Sequence, residues 1–256
     1  MGGFKDTFQR YETKYLLEDF QYKAMLERLE GMAEVDEYGQ TSILNIYYDT
    51  PGYQLIRNSL DKPVYKEKLR LRSYGVPEDD TRAFIEIKKK YEGIVYKRRI
   101  GMEYREALAY LNEKKTPTEK SQISSEIDYF KHFYKGLRPA MAISYDRIAL
   151  AGTKDKELRI TFDENIRWRV DHLDLKYGNK GVPILKQGQH LMELKIAGAM
   201  SVQMAQILDE LQIRQVSFSK YGRGYLDYKY PEGVREAFFQ DKKRGHVITD
   251  ERVLTA

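Results

Sequence analysis

Polar and apolar residues alternate with a period of two in six separate stretches of this chain, and the polar member is repeatedly Lys or Arg. Such alternation predicts β-strands with one apolar and one cationic face. In Tyr65–Tyr74, Lys66, Lys68, Arg70 and Arg72 share one face, and Tyr65, Leu69 and Leu71 the other. Ala83–Lys90 sets Glu86 and Lys88 opposite Ile85 and Ile87, and Val95–Ile100 interleaves Lys97 and Arg99 with Tyr96 and Ile100. Met141–Leu150 places Tyr145 and Arg147 against Ser144 and Ile148. Leu158–Phe162 places Arg159 and Thr161 against Leu158, Ile160 and Phe162. His190–Ile196 completes the series with Glu193 and Lys195 against Met192, Leu194 and Ile196.

Helical spacing fills the intervals. Apolar residues three and four apart predict helices over Glu18–Met32, Tyr104–Leu111 and Ser124–Tyr134, and a fourth begins at a Ser201 N-cap. Gly and Pro clusters at 74–77, 115–118 and 177–183 mark turns. Beyond Pro231 the periodicity fades, so residues 1–230 are expected to form one domain and 231–256 a loosely docked or disordered tail.

Six apolar strand faces need cover, which the helices supply from one side, so the cationic faces are expected to converge on the other. The expected fold is α+β: a closed antiparallel β-barrel with helices packed outside and Lys and Arg in its lumen. Like-charge repulsion and desolvation forbid such an interior unless an anion occupies it. A triphosphate or longer phosphate chain suits the cage, because Arg donates in a fork and Lys acts as a point charge. The competing reading, in which the basic faces are simply solvated, weakens as the strands sharing the habit multiply.

Composition adds little but is consistent. The 256 residues carry 44 Lys and Arg against 39 Asp and Glu, a net charge of +5 that agrees with an anionic partner. Cysteine is absent, which excludes disulfides and thiolate metal sites and suits a reducing compartment. The opening Met-Gly-Gly-Phe-Lys-Asp lacks the apolar core of a signal peptide, and no apolar run is long enough to span a bilayer. A cytoplasmic protein is expected. Carboxylates in a phosphate lumen need a reason of their own: Glu193, Glu12 and Glu86 are candidate ligands for Mg²⁺ or Mn²⁺, with pairing to neighbouring Lys or Arg as the alternative.

Several motifs in order resemble the triphosphate tunnel or CYTH superfamily and, within it, the polyphosphate polymerase domain of the vacuolar transporter chaperone (VTC) complex. They are Arg10-Tyr11-Glu12-Thr13-Lys14-Tyr15, Tyr47-Tyr48-Asp49-Thr50-Pro51, Lys68-Leu69-Arg70-Leu71-Arg72-Ser73-Tyr74-Gly75 and Glu86-Ile87-Lys88. Tyr145-Asp146-Arg147, Arg159-Ile160-Thr161-Phe162-Asp163, Glu193-Leu194-Lys195 and Ser217-Phe218-Ser219-Lys220-Tyr221-Gly222 follow. The resemblance spans Phe8 to Tyr228 and implies an enzyme that transfers the γ-phosphoryl group of ATP to a growing polyphosphate chain. It implies catalytic roles for Lys14, Arg70, Arg72, Lys88, Arg147, Arg159 and Lys220. Further phosphate contacts would come from Arg10, Lys68, Tyr145, Lys195, Ser219 and one or both of Lys97 and Arg98.

Two departures stand out. Family hydrolases begin with Glu-x-Glu-x-Lys, but the first acid is here Arg10, which disfavours hydrolysis; and Ser217 stands where the polymerase has a Lys. A triphosphatase or a non-catalytic polyphosphate-binding module on the same scaffold remains the alternative, and a membrane partner is possible. Nucleic acid is not expected as a ligand, since a closed tunnel excludes duplexes. Gly222-Arg223-Gly224 reads as a turn or hinge, Trp168 as a packing residue or base stacker, and the four histidines as surface or packing residues.

Overall fold

A computed structural model describes residues 10–92, 94–113 and 115–230. The expected tail at 231–256, with His246, lies outside the described residues. The strands are β1 (Arg10–Glu18), β2 (Ala33–Asp49), β3 (Tyr65–Tyr74), β4 (Arg82–Tyr91), β5 (Ile94–Glu103), β6 (Arg138–Gly152), β7 (Arg159–Arg169), β8 (Val182–Pro183) and β9 (Gln189–Ala197). The helices are α1 (Asp19–Leu29), α2 (Gln54–Leu60), α3 (Tyr104–Asn112), α4 (Gln122–Phe133), α5 (Val202–Glu210) and α6 (Lys220–Lys229). Ser201 caps α5 by accepting from the Met204 amide, as its position before an apolar run requires. No helix among the described residues is long and apolar enough to cross a membrane.

One antiparallel sheet contains all the strands, in the order β1-β9-β7-β6-β2-β3-β4-β5, with β8 paired to β7. The sheet is strongly rolled. Glu12 on the outer strand β1 lies 3.4 Å from Lys88 on β4, near the opposite end of the order. Yet the ladder does not close, which corrects the expected closed barrel: among the described residues β1 and β5 share no pairing. The free side of β1 is taken instead by the segment before α6, where Tyr15 bridges Gln215 and the Val216 amide donates to the Lys14 carbonyl at 2.7 Å. The Lys14 carbonyl, an acceptor on the edge that could have met β5, is satisfied there.

Three apolar clusters fix the roll. Leu69, Leu71, Ile85 and Ile87 meet Tyr104, Ala107, Ile127 and Phe130 of α3 and α4 on the convex side. Ile160, Phe162, Met192 and Leu194 meet Met25, Leu29, Met204 and Ile207 of α1 and α5 on the same side. The third cluster lies inside. Tyr47, Met141, Ile143 and Tyr145 on the concave face pack against Tyr221, Tyr225 and Leu226 of α6. Not every helix is therefore outside: α6 fills part of the hollow.

That placement overturns the turn or hinge expected at Gly222-Arg223-Gly224, which lies within the first two turns of α6. The glycines serve close approach, because a Cβ at Gly224 would stand 2.8 Å from Met141 Sδ and 2.9 Å from Trp168 Cβ. Trp168 is thus a packing residue, with its ring 6.0 Å from that of Tyr228.

Asp49 ties α2 and α6 to the sheet. Its fully buried carboxylate accepts from the Thr50, Leu55 and Ile56 amides at 2.8, 2.9 and 3.0 Å, satisfying the open donors of α2, and from the Tyr221 hydroxyl at 2.9 Å. Asp49→Ala leaves these donors buried without partners. It is expected to lower stability by roughly 3 kcal/mol, measured as the urea midpoint; an unchanged midpoint would show that the carboxylate does not hold the two helices.

Candidate functional site

Register decides which side chains share the hollow. Lys14 stands opposite Glu193, Glu12 opposite Lys195, and Thr161 opposite Glu193. Arg147 faces Asp163, Tyr47 faces Arg70, and Asn45 faces Arg72. Arg70 in turn faces Glu86, and Lys88 faces Lys97. Since directly paired residues point to the same side of a sheet, these positions from eight strands line one concave face, and the apolar residues between them turn outward. The N-terminal end of α6 adds Ser219 and Lys220.

Buried carboxylates organise the cations. Glu86, 1% exposed, receives Arg70 Nε at 2.7 Å and has Lys97 Nζ at 2.7 Å and Arg72 Nε at 3.9 Å. Burial opposes its charge, but Arg70, Arg72 and Lys97 outweigh burial and bring its pKa down to about 2. Asp163, fully buried, takes a two-pronged contact from Arg147 at 2.6 and 2.8 Å and a Lys220 ion pair at 2.5 Å. The Arg forks are further fixed from behind. Arg72 donates to Asn45 Oδ1 at 2.9 Å and the Tyr145 hydroxyl at 3.1 Å, and Arg70 to the Tyr47 hydroxyl at 3.2 Å.

Across the hollow, Glu12 lies 3.4 Å from both Lys14 and Lys88, and Lys195 lies 2.9 Å from Glu193. Lys14 also donates to the Phe218 carbonyl at 3.1 Å, and Lys68 to Ser219 Oγ at 3.1 Å. Lys68 has no carboxylate within ion-pair distance among the described residues. Burial, then Lys88, Lys14 and Lys66, lower its pKa to about 8, with Tyr47 working the other way.

The structure thus gathers Lys14, Lys68, Arg70, Arg72, Lys88, Lys97, Arg147, Lys195, Ser219 and Lys220, with Tyr145 against Arg72. Three expected positions behave differently. Arg98 falls opposite Ile87 on the convex side and meets Glu126 of α4 at 3.7 Å, so the alternation leaves Lys97 as the inward base. Arg159 is exposed at the rim, where its guanidinium donates to the Lys156 and Leu158 carbonyls. Arg10 opens β1, but its side chain lies outside the described residues.

As metal ligands the three glutamates are not equivalent. Among the described residues no three His, Asp or Glu side chains converge as a metal nest. Glu86 is enclosed by cations, which makes it a counterion. Glu193 and Glu12 remain on adjacent strands. Burial works against the charge of Glu193, yet Lys195, Lys14, Lys220 and Arg147 hold its pKa well below the usual carboxylate range. The buried Thr161 Oγ1 on the neighbouring strand has no hydrogen-bond partner. One or two hard oxygen ligands, with the rest supplied by phosphate and water, is the coordination Mg²⁺ and Mn²⁺ accept, so these residues fit such an ion.

Tyr47 and Asp163 stand in the motifs quoted above but were given no role there, and Asn45 was not singled out by the sequence. The signal was present: Asp163 continues the Arg159, Thr161 alternation, and Asn45 and Tyr47 alternate with the apolar Leu44, Ile46 and Tyr48.

Two titrations report the field in the hollow. Burial would raise the Tyr145 phenol, but Arg72, Arg147 and Lys220 outweigh it and bring its pKa down to about 8. Because the folded value is below the ordinary one, ionisation of Tyr145 favours the fold above pH 8, and this contribution is lost as pH falls through 8. A tyrosinate absorbance step near that pH is expected in the parent and not in Tyr145→Phe, and tripolyphosphate should move the step upward; superimposable titrations of the two proteins would remove the claim. For Lys68 the sign is opposite. Tripolyphosphate should bind more weakly as pH rises through about 8, with proton uptake that calorimetry in two buffers finds smaller in Lys68→Met. Equal uptake by both proteins would count against an inward, desolvated Lys68.

No curated protein matches the chain. Among solved structures, a candidate adenylate cyclase from Bacillus halodurans superposes with a TM-score of 0.53 at 15% identity, covering 87% of this chain and 99% of that one. A candidate adenylyl cyclase from Hippeastrum, described as having a dominant triphosphatase activity, gives 0.53 at 14% identity over 86% and 97%. At these identities the likeness concerns the fold alone. The VTC domain family matches residues 9–228, nearly the whole described chain, and to that family this chain belongs.

Proposed function

We propose that the protein is a metal-dependent polyphosphate polymerase, which transfers the γ-phosphoryl group of ATP to the end of an inorganic polyphosphate chain. The observation that carries this reading is the excess of cations over carboxylates on one rolled sheet face, with Arg70 and Arg72 held in place by Glu86, Asn45, Tyr47 and Tyr145. Such a face is preorganised for charge spread over several phosphoryl oxygens, and positioning with electrostatic stabilisation is most of what phosphoryl transfer asks of a protein. Arg10 in place of an acid at the start of β1 favours transfer over hydrolysis.

The roles follow from placement. Arg70 and Arg72 would grip equatorial oxygens of the transferred group from β3, while Arg147 and Lys220, shared with Asp163, would do so from the facing wall. Lys14, Lys68 and Lys88 would hold the acceptor chain. A terminal oxygen of that chain attacks the γ-phosphorus; a new P–O–P link forms as the bond to the β–γ bridging oxygen breaks, and ADP leaves with the electron pair. That oxygen is already ionised near neutral pH, so no side chain need remove a proton. Glu193 with Glu12 would hold the divalent cation, whose chemistry is to neutralise and align phosphate oxygens.

Purified protein with ATP and Mn²⁺ is expected to form long-chain polyphosphate and ADP. Glu193→Gln and Lys220→Met should each lower the rate on the order of 10²-fold without altering the near-ultraviolet circular dichroism. Equimolar ADP and orthophosphate with no polymer would make the protein a triphosphatase. Tight polyphosphate binding without turnover, surviving Glu193→Gln, would make it a binding module.

A further inference from the structure

A chain that lengthens by transfer needs a first acceptor, and one side chain of the hollow has an oxygen placed for that part. Tyr145 of β6 is 4% exposed, and its hydroxyl accepts from Arg72 Nη2 at 3.1 Å. Lys220 Nζ stands 4.5 Å and Arg147 Cζ 5.2 Å from the centre of its ring. Arg72 belongs to the β3 wall, Arg147 and Lys220 to the facing one. The phenol therefore lies between the two sets of cations assigned above to the transferred phosphoryl group.

The ladder is interrupted at this residue. β6 and β7 pair Ser144 with Arg167 and Asp146 with Glu164, so Asn165 and Ile166 of β7 stand against Tyr145 alone. A bulge of this kind bends its strand and re-aims a side chain, and bulges gather beside active sites. Asn165 holds this one with a left-handed φ of 51° and by donating to Asp146 Oδ2 at 2.9 Å.

Other hydroxyls of the hollow are less suited. Ser219 Oγ already accepts from Lys68 and from the Gly222 amide, both at 3.1 Å, which occupies its lone pairs. Thr161 is an aliphatic alcohol opposite Glu193, whose charge repels an incoming phosphate. Tyr47 accepts from Arg70 at 3.2 Å, on the β3 wall, and its ring is stacked on Tyr221 at 4.5 Å. At Tyr145 the cations outweigh burial and favour the phenolate, the attacking form of the group. Its burial also keeps away the water that would compete as acceptor.

We propose that Tyr145 Oη accepts the first γ-phosphoryl group, so that the protein primes its own polymer through an aryl phosphate. This rests on the phosphoryl-transfer reading of the hollow and deepens it. Oη attacks the γ-phosphorus of ATP; the Oη–P bond forms as the bond to the β–γ bridging oxygen breaks, and ADP leaves with the electron pair. A proton still on the phenol passes to a non-bridging oxygen of the transferred group. The new phosphate then presents a terminal oxygen for the next transfer.

The test incubates parent protein and Tyr145→Phe with Mn²⁺ and ATP radiolabelled in its γ-phosphate, with no phosphate chain added, and then denatures and washes them. The parent should retain label that survives both warm alkali, which strips phosphoserine, and acid, which strips a phosphorylated lysine; mass spectrometry of its peptides should place the phosphate on Tyr145. ATP labelled in its α-phosphate should leave nothing behind. Tyr145→Phe should retain roughly tenfold less γ-label or lower. Tripolyphosphate, a ready-made acceptor, should raise polymer yield in Tyr145→Phe by a larger factor than in the parent, whereas a tyrosine that only positions phosphate gives equal factors.

No γ-label on the denatured parent, label at another residue, undiminished label in Tyr145→Phe, or equal stimulation by tripolyphosphate would each overturn the acceptor role. The first two are read on the parent and do not depend on how the variant folds. Label on Tyr145 without polymer keeps the acceptor and removes the polymerase reading. Polymer without protein-bound label keeps the polymerase and removes the acceptor.

Discussion

Positive charge enclosed on the inner face of a rolled sheet, only partly neutralised from within, is the constraint on which the rest of this structure depends. Isolated charges taken out of water cost several kcal/mol each, so every buried carboxylate of the hollow is set among cations. Glu86 has Arg70, Arg72 and Lys97, and Asp163 has Arg147 and Lys220. The same pairs lock the guanidinium forks in one orientation. Among the described residues Lys68 has no carboxylate partner, and on the proposed function a polyanion would complete that charge.

The apolar architecture serves that arrangement. Two clusters lie behind the sheet, under α3 with α4 and under α1 with α5, and each presses the apolar side of its strands so that the cationic side curls inward. The third occupies the hollow itself, where α6 covers the strand region that carries Met141 and Ile143 in place of bases. Its first residues thereby bring Ser219 and Lys220 to Lys68 and Asp163. Asp49 anchors both α2 and Tyr221, and so couples the position of α6 to the sheet. A residue far from α6 in the sequence thus sets where one wall of the site stands.

Much of this was legible in the residues alone. The alternation in Tyr65–Tyr74 gave the bounds of β3 and the shared face of Lys68, Arg70 and Arg72, because period two is a local property of an extended backbone. The same rule placed Glu86 with Lys88 and Glu193 with Lys195, and helical spacing with the Ser201 cap found α5. It could not say what covers a face. Whether β1 pairs with β5 or with the 213–218 segment depends on contacts between residues some 200 positions apart, and no local pattern records that choice. For the same reason the Gly222-Arg223-Gly224 run, a breaker by propensity, became helix once Met141 and Trp168 left room for nothing larger at Gly224. Periodicity fixed which side chains travel together along each strand; only the tertiary packing decided which side of the sheet became an interior, because curvature and helix docking arise from long-range burial.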